Sequence, residues 1–208
     1  FGIIRFLHRR SYGFNSRRIL CELNQVEAGD GIYFVDSGIG SATLATGKTI
    51  STGSTGFTTG ELRLARFTQN GTTAQNIVFT GTAGLRVGPT TTWNGNFTSS
   101  SPAIFLDGAV FNGTTNSITK TGSTTDTSVG GNTFAAGTTS TLTNSGTGIF
   151  RLANTTADDF IGNAVFNQSS GILQPAYSTA STFRGDVTVN GATAITFGAA
   201  GGGNAVFT

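Results

Sequence analysis

Phe183-Arg-Gly-Asp-Val-Thr-Val-Asn190 reads as an aromatic residue, a glycine two positions on, and a short strand of alternating character. The same phrase stands earlier in the chain at an offset of 23, without a gap, as Phe160-Ile-Gly-Asn-Ala-Val-Phe166-Asn167. At that offset Ile172 falls on Ile195, Asn144 on Asn167, Ile149 on Ile172 and Phe111 on Phe134. Leu44, Phe67, Trp93, Phe111, Phe134, Phe160, Phe183 and Phe207 continue the series at similar but unequal steps. The differences in length fall in Gly/Thr/Ser stretches, where loops absorb insertions.

A longer period overlies the short one. The stretch from Ile32 to Leu44 matches the stretch from Ile195 to Phe207 at an offset of 163, so that seven short units make one long unit. Fixed periods of this size signal solenoids and arrays. Each unit offers only short segments such as Leu62-Arg-Leu64, Leu85-Arg-Val87, Ile104-Phe-Leu106 and Val187-Thr-Val189. Several alternate apolar with polar, the period of a half-buried strand. Helical spacing is confined to the first ten residues. Units this small cannot fold alone and must stack, each about 4.8 Å from the next, with the aromatic positions aligned inside as a one-dimensional array. The expected fold is all-β: a parallel β-solenoid, right-handed by the rule for parallel crossovers, with coils of about 23 residues.

The composition of 31 Gly, 3 Pro and 11% charged residues fits such coils: Gly supplies positive-φ corners and few Pro interrupt the ladders. A disordered Gly/Ser/Thr linker is the competing reading. The 17 Phe, placed periodically, argue against it. Residues 31–208 read as one repeat array, comprising a 163-residue long repeat plus overlap. Residues 1–30 read as a degenerate N-terminal coil or cap, with a short amphipathic helix over 1–10 as the alternative. A chain without Met that starts at Phe1 and stops mid-pattern reads as a piece of a longer tandem array.

The formal charge of +2 comes from the first 30 residues; the remainder holds seven basic and seven acidic side chains. A neutral body argues against nucleic-acid binding. Cys21 is the single cysteine, so no internal disulfide forms. No apolar run reaches the roughly 18 residues of a membrane span.

Candidate sites are sparse. His8, the only histidine, lies in the degenerate segment and makes no triad with Ser and Asp. No cofactor or metal-ligand pattern is present: Gly201-Gly-Gly-Asn only grazes a calcium nonapeptide. Asp158-Asp159 is the one acidic pair. Glycoside hydrolysis needs two carboxylates facing one bond, and the pair reads instead as a solvated turn before Phe160. Asp36, Asp107 and Asp186 read as turn residues, and Gly122-Ser-Thr-Thr-Asp-Thr127 as a surface excursion. Trp93 reads as a member of the core ladder, with a sugar-stacking platform as the alternative. Thr139-Ser-Thr141-Leu-Thr143 has the spacing of an ice-binding face, which neighbouring coils do not repeat. Arg63, Arg86 and Arg151 each stand between apolar residues and should point outward, and Gln174 follows Arg151 at the offset of one unit. Like charges stacked on adjacent strands destabilise unless compensated. A polyanionic glycan bound along Arg63, Arg86, Arg151 and Gln174 would compensate them, as would a nearby carboxylate such as Asp107.

The phrases Ala42-Thr-Leu-Ala-Thr-Gly-Lys-Thr-Ile-Ser51, Phe111-Asn-Gly-Thr-Thr115, Gly130-Gly-Asn-Thr-Phe134 and Leu142-Thr-Asn-Ser-Gly-Thr-Gly148 resemble the long tandem-repeat, adhesin-like surface proteins of Bacteroidota. The resemblance covers roughly residues 30–208. It implies an extended rod, secreted or at the cell surface, and carries no catalytic residues. The expected function is therefore a non-catalytic structural or adhesive segment. A carbohydrate-binding or carbohydrate-active solenoid is the alternative, and a phage tail fibre segment a lesser one. Expected partners are flanking repeats and a surface polysaccharide, with end-to-end self-association through open strand edges and no membrane insertion.

Overall fold

The computed structural model describes residues 32–34, 41–50 and 60–208, the first three by backbone alone. The expected cap over 1–30, with His8 and Cys21, and Asp36 lie outside the described residues. Among those described there is no helix; 22 strands wind as a parallel β-solenoid with coils of about 23 residues. Each full coil contributes three strands, one to each of three faces.

Face A holds β1 (Ile32–Phe34), β3 (Glu61–Leu64), β6 (Gly84–Val87) and β9 (Ala103–Leu106), followed by a second sheet of β12 (Thr125–Thr127), β15 (Ile149–Arg151), β18 (Ile172–Gln174) and β21 (Ala194–Ile195). Face B is one eight-stranded sheet: β2 (Ala42–Leu44), β4 (Phe67–Gln69), β7 (Thr91–Trp93), β10 (Ala109–Phe111), β13 (Thr133–Phe134), β16 (Asp159–Phe160), β19 (Ser181–Phe183) and β22 (Ala205–Phe207). Face C holds β5 (Gln75–Val78), β8 (Phe97–Ser101), β11 (Thr115–Lys120), β14 (Thr139–Asn144), β17 (Asn163–Gln168) and β20 (Val187–Gly191).

Strand alternation sends every second side chain inward. On face B the inward column runs Leu44, Gln69, Trp93, Phe111, Phe134, Phe160, Phe183, Phe207. From Phe111 onward the rings stack, with centroids 5.0, 4.4, 4.9 and 5.2 Å apart. The ladder differs from expectation at one rung. Leu44 registers with Gln69, and Phe67 registers with Ala42. Both Phe67 and Gln69 point inward, and the Phe67 ring still reaches Trp93 at 5.1 Å. Gln69 holds the ladder position because its carboxamide secures the next turn: Oε1 accepts from Asn94 N and Gly95 N at 3.1 and 3.0 Å.

Two other expected alignments shift by one residue. Asn144 pairs with Gln168 rather than Asn167. Ile195 pairs with Leu173 rather than Ile172. In both, one residue gained or lost in a corner changes the offset while the inward phase is kept. Ile149 on Ile172 and Phe111 on Phe134 stand as expected.

The corners carry their own constraints. Among the described residues, each turn from face A to face B from β3 onward contains a residue with positive φ: Arg66, Thr90, Gly108, Gly130, Ala153, Ala176 and Gly198. Four of these are not glycine, and a left-handed conformation costs such residues roughly 1–2 kcal/mol each. Between faces C and A the backbones approach so closely that a Cβ on Gly148 would fall onto Thr124 O, and one on Gly171 onto Gly148 O. The excursion expected at Gly122–Thr127 is not a loop: it closes this corner and enters β12, with Asp126 buried. Alternation turns Asp126 inward, where its carboxylate has partners.

Two changes test this arrangement. Phe134→Ala, deep in the stacked column, should destabilise by about 3–5 kcal/mol in urea titrations, while Phe207→Ala, at a ring 60% exposed, should cost far less. Thr90 is exposed at φ +57°, so Thr90→Gly should raise stability by about 1 kcal/mol; a loss would refute the strain assignment.

Candidate functional site

The arginines come to the outer side of face A. Arg63 pairs with Arg86 on the next coil, and Arg86 with Phe105. Thr127 pairs with Arg151, and Arg151 with Gln174. The four expected residues thus lie along one outer column, split by Phe105 and Thr127 into an upper and a lower pair. Arg86 is compensated within the chain. Its Nε donates to both Glu61 oxygens at 3.3 Å, its Nη1 forms an ion pair with Asp107 Oδ2, and its guanidinium lies 4.0 Å from the Phe105 ring centroid. Arg151 donates to Gln174 Oε1 at 2.8 Å and covers Tyr177 at 4.6 Å. Arg63 is half-buried and is engaged as well.

The acidic pair separates. Asp159, on the outer side of β16, is held by Arg184 Nε at 3.0 Å. Asp158 is not a solvated turn residue, as the sequence suggested, but is buried. The correction follows from alternation: Asp159 faces out, so Asp158 faces in. Two carboxylates on opposite sides of one strand cannot flank a single glycosidic bond. Burial pushes the Asp158 carboxyl up to about 7, against the lowering effect of hydrogen bonds from Asn132 and Gly131, with Asp107 adding to the rise. Asp107 follows β9 as a turn residue and accepts from Val129 N at 2.7 Å. Asp186 precedes β20, its N–H bonded to Asn163 Oδ1. Trp93 is fully buried, 4.8 Å from Phe97, so its face is closed to a sugar.

Sequence reading missed the polar residues at the inner corners. Between faces C and A, Ser101, Lys120, Asn144 and Gln168 stand in register. Ser101 Oγ donates to Ala103 O, Lys120 Nζ to Pro102 O and Gly122 O, Asn144 Nδ2 to Gly148 O, and Gln168 Nε2 to Gly171 O, at 2.6–3.1 Å. Only Lys120 adds a charge. Asp126 Oδ2 meets it at 3.1 Å, with side-chain exposures of 0% and 1%. The same carboxylate accepts from Ile104 N at 2.9 Å, and Ser128 Oγ accepts from Leu106 N at 3.0 Å. These two side chains join the halves of face A where no strand ladder does. The signal was present in Thr115-Asn-Ser-Ile-Thr-Lys120, where Asn116, Ile118 and Lys120 share one phase.

On the outer side of face C the hydroxyl pattern extends further than Thr139–Thr143. Thr98 and Ser100 register with Ser117 and Thr119, and these with Thr141 and Thr143. The pattern ends at Val165 and Asn167. Among the described residues no group of three or more His, Cys, Asp and Glu could hold a metal, and no helix is long and apolar enough to cross a membrane.

No protein-family model, no curated protein and no solved structure matches the chain.

Breaking a buried ion pair leaves its partner uncompensated. Asp126→Ala should therefore destabilise by about 3–5 kcal/mol, and Asp159→Ala, at an exposed pair, by no more than about 1 kcal/mol. Paired replacement by Lys120→Met and Asp126→Leu should recover only the part of the loss due to the uncompensated charge in urea titrations, since Ile104 N, Pro102 O and Gly122 O lose their side-chain partners.

Proposed function

We propose that the chain is a non-catalytic segment of an extracellular rod, whose task is to hold length and present repetitive outer faces. One observation carries this reading: five of the six described carboxylates, all but Asp186, bind side chains within the chain, and most of these bonds run from coil to coil. Of the described carboxylates, Glu61 and Asp107 bind Arg86, Asp126 binds Lys120, Asp158 binds Asn132 and Asp159 binds Arg184. Each partner, Lys120 excepted, is distant in sequence and one coil away in the stack. The resemblance of residues 30–208 to tandem-repeat surface proteins supports the same location and role.

Flanking repeats fit this reading as partners. Phe207 and Val189 occupy columns that are covered in the preceding coils, and here are 60% and 49% exposed. A further coil laid on β20 and β22 would cover both.

Glycan arrays and turnover assays on acidic polysaccharides should give no signal with the full chain. Arg86→Ala should lower the thermal midpoint, by releasing Glu61 and Asp107, without altering any binding. Glycan binding abolished by Arg63→Ala and Arg86→Ala would replace the rod by an adhesin, and hydrolysis abolished by Asp159→Asn would replace it by an enzyme.

A further inference from the structure

Asn132 and Asp158 hold the same inward position on consecutive coils, since the residues after them, Thr133 and Asp159, are paired. Asn132 uses both ends of its carboxamide. Its Oδ1 accepts from Gly108 N at 3.1 Å and Ala109 N at 2.9 Å. Its Nδ2 donates to Leu106 O at 3.1 Å and to Asp158 Oδ1 at 2.8 Å. Asp158 repeats the accepting half one coil on: Oδ1 takes Asn132 N at 2.8 Å, and the Gly131 backbone also acts on the carboxyl. The donating half has no counterpart. Asp158 Oδ2 is the other terminus of the group; it is buried and without a hydrogen-bond partner. A buried acceptor left unmade is destabilising, and a proton on that oxygen would turn it into the donor that Asn132 already has.

We propose that Asp158 is a pH-operated latch between coils: protonated, it is neutral and keeps its corner seated on Asn132 of the coil before it; ionised, it leaves a buried charge that loosens the junction. The groups around it do not neutralise that charge. Asn132 at the start of β13 and Ser181 on β19 are uncharged, and Ser181 Oγ accepts from Asp158 N at 3.1 Å. Asp107, beyond β9, is itself acidic and opposes ionisation. Asp159 and Arg184 lie on the outer side and bind each other.

The direction of the pH effect follows. The folded carboxyl is raised to about 7 from 3.8, so the unfolded chain ionises first as pH rises. Stability is fullest in acid, falls as pH climbs from about 4 to about 7, and is level above that. The two limits imply a folding equilibrium constant roughly a hundredfold smaller at pH 9 than at pH 5, most of the fall lying below pH 7.

Urea titrations of the full chain between pH 5 and 9, wild type against Asp158→Asn, test the latch. The difference between the two curves removes His8 and every other shared group. Asp158→Asn should abolish that fall and exceed wild type in stability at pH 9. Parallel pH profiles would overturn the proposal. A measurement on the wild type alone keeps it exposed should the variant fold poorly: ¹³C titration of the aspartate carboxyls should show one group changing near pH 7. Titration of all of them in the ordinary carboxylate range would also overturn it.

Discussion

The structure depends on one dimensional coincidence. Strands hydrogen-bonded side by side repeat every 4.7–4.9 Å, and that is also a comfortable distance between offset aromatic rings. A Phe at one inward position of each coil therefore satisfies backbone and core together. The rings of Phe111, Phe134, Phe160 and Phe183 lie nearly parallel, at interplanar angles of 6, 8 and 13°. Neither term would suffice alone. A single coil has too little apolar surface to fold, and an unpaired ladder gains nothing over water. Stacking supplies both, so the stability of any coil resides largely in its neighbours.

The same constraint explains the polar interior. A strand interior closes its backbone bonds in the ladder; a corner closes only some of them from coil to coil, as Thr90 N does on Gly108 O and Gly148 N on Gly122 O. Buried backbone groups must be satisfied, and the nearest available atoms are inward side chains at the strand ends. Gln69 and Gln75 serve the turn from face B to face C, where both bond Thr73 O. Thr91, Asn132 and Asp158 serve the turn from A to B, and Ser101, Lys120, Asn144 and Gln168 the turn from C to A. The interior is thus apolar along its faces and polar along its edges. Lys120 differs from its column in bringing a charge, and Asp126 both neutralises it and bridges the break in face A. One compensating residue thereby performs two structural tasks.

The fold was legible because its signal is periodic. Phase within a strand survives insertions, so the aromatic series revealed the coil length and the inward positions despite its unequal steps. Register was less legible. The corners are written in Gly, Thr and Ser, which carry little to distinguish one position from the next, and offsets slipped there by one or two residues, as at Gln69, Gln168 and Ile195. The interior polar residues were hidden for another reason. Residue type argues that Lys120, Asp126 and Asp158 belong in water, while alternation argues that they face inward. Alternation won because each finds bonding partners inside, and each takes at least one of them from another coil: Pro102 O, Ile104 N and Asn132.

That last point also governs the outer arginines. In sequence, Arg86 is 25 residues from Glu61 and 21 from Asp107, so Asp107 reads only as one possible compensating group and Glu61 does not stand out at all. In a stack with a period of about 23, residues at those separations are neighbours on adjacent coils. An acid displaced two residues from the period, on either side, meets the guanidinium from above and below. Linear charge patterning cannot reveal this, because compensation here is a property of position modulo the coil length. The same arithmetic, applied to any residue of the array, identifies the groups that face it. Charge on such a surface is better judged by coil position than by distance along the chain.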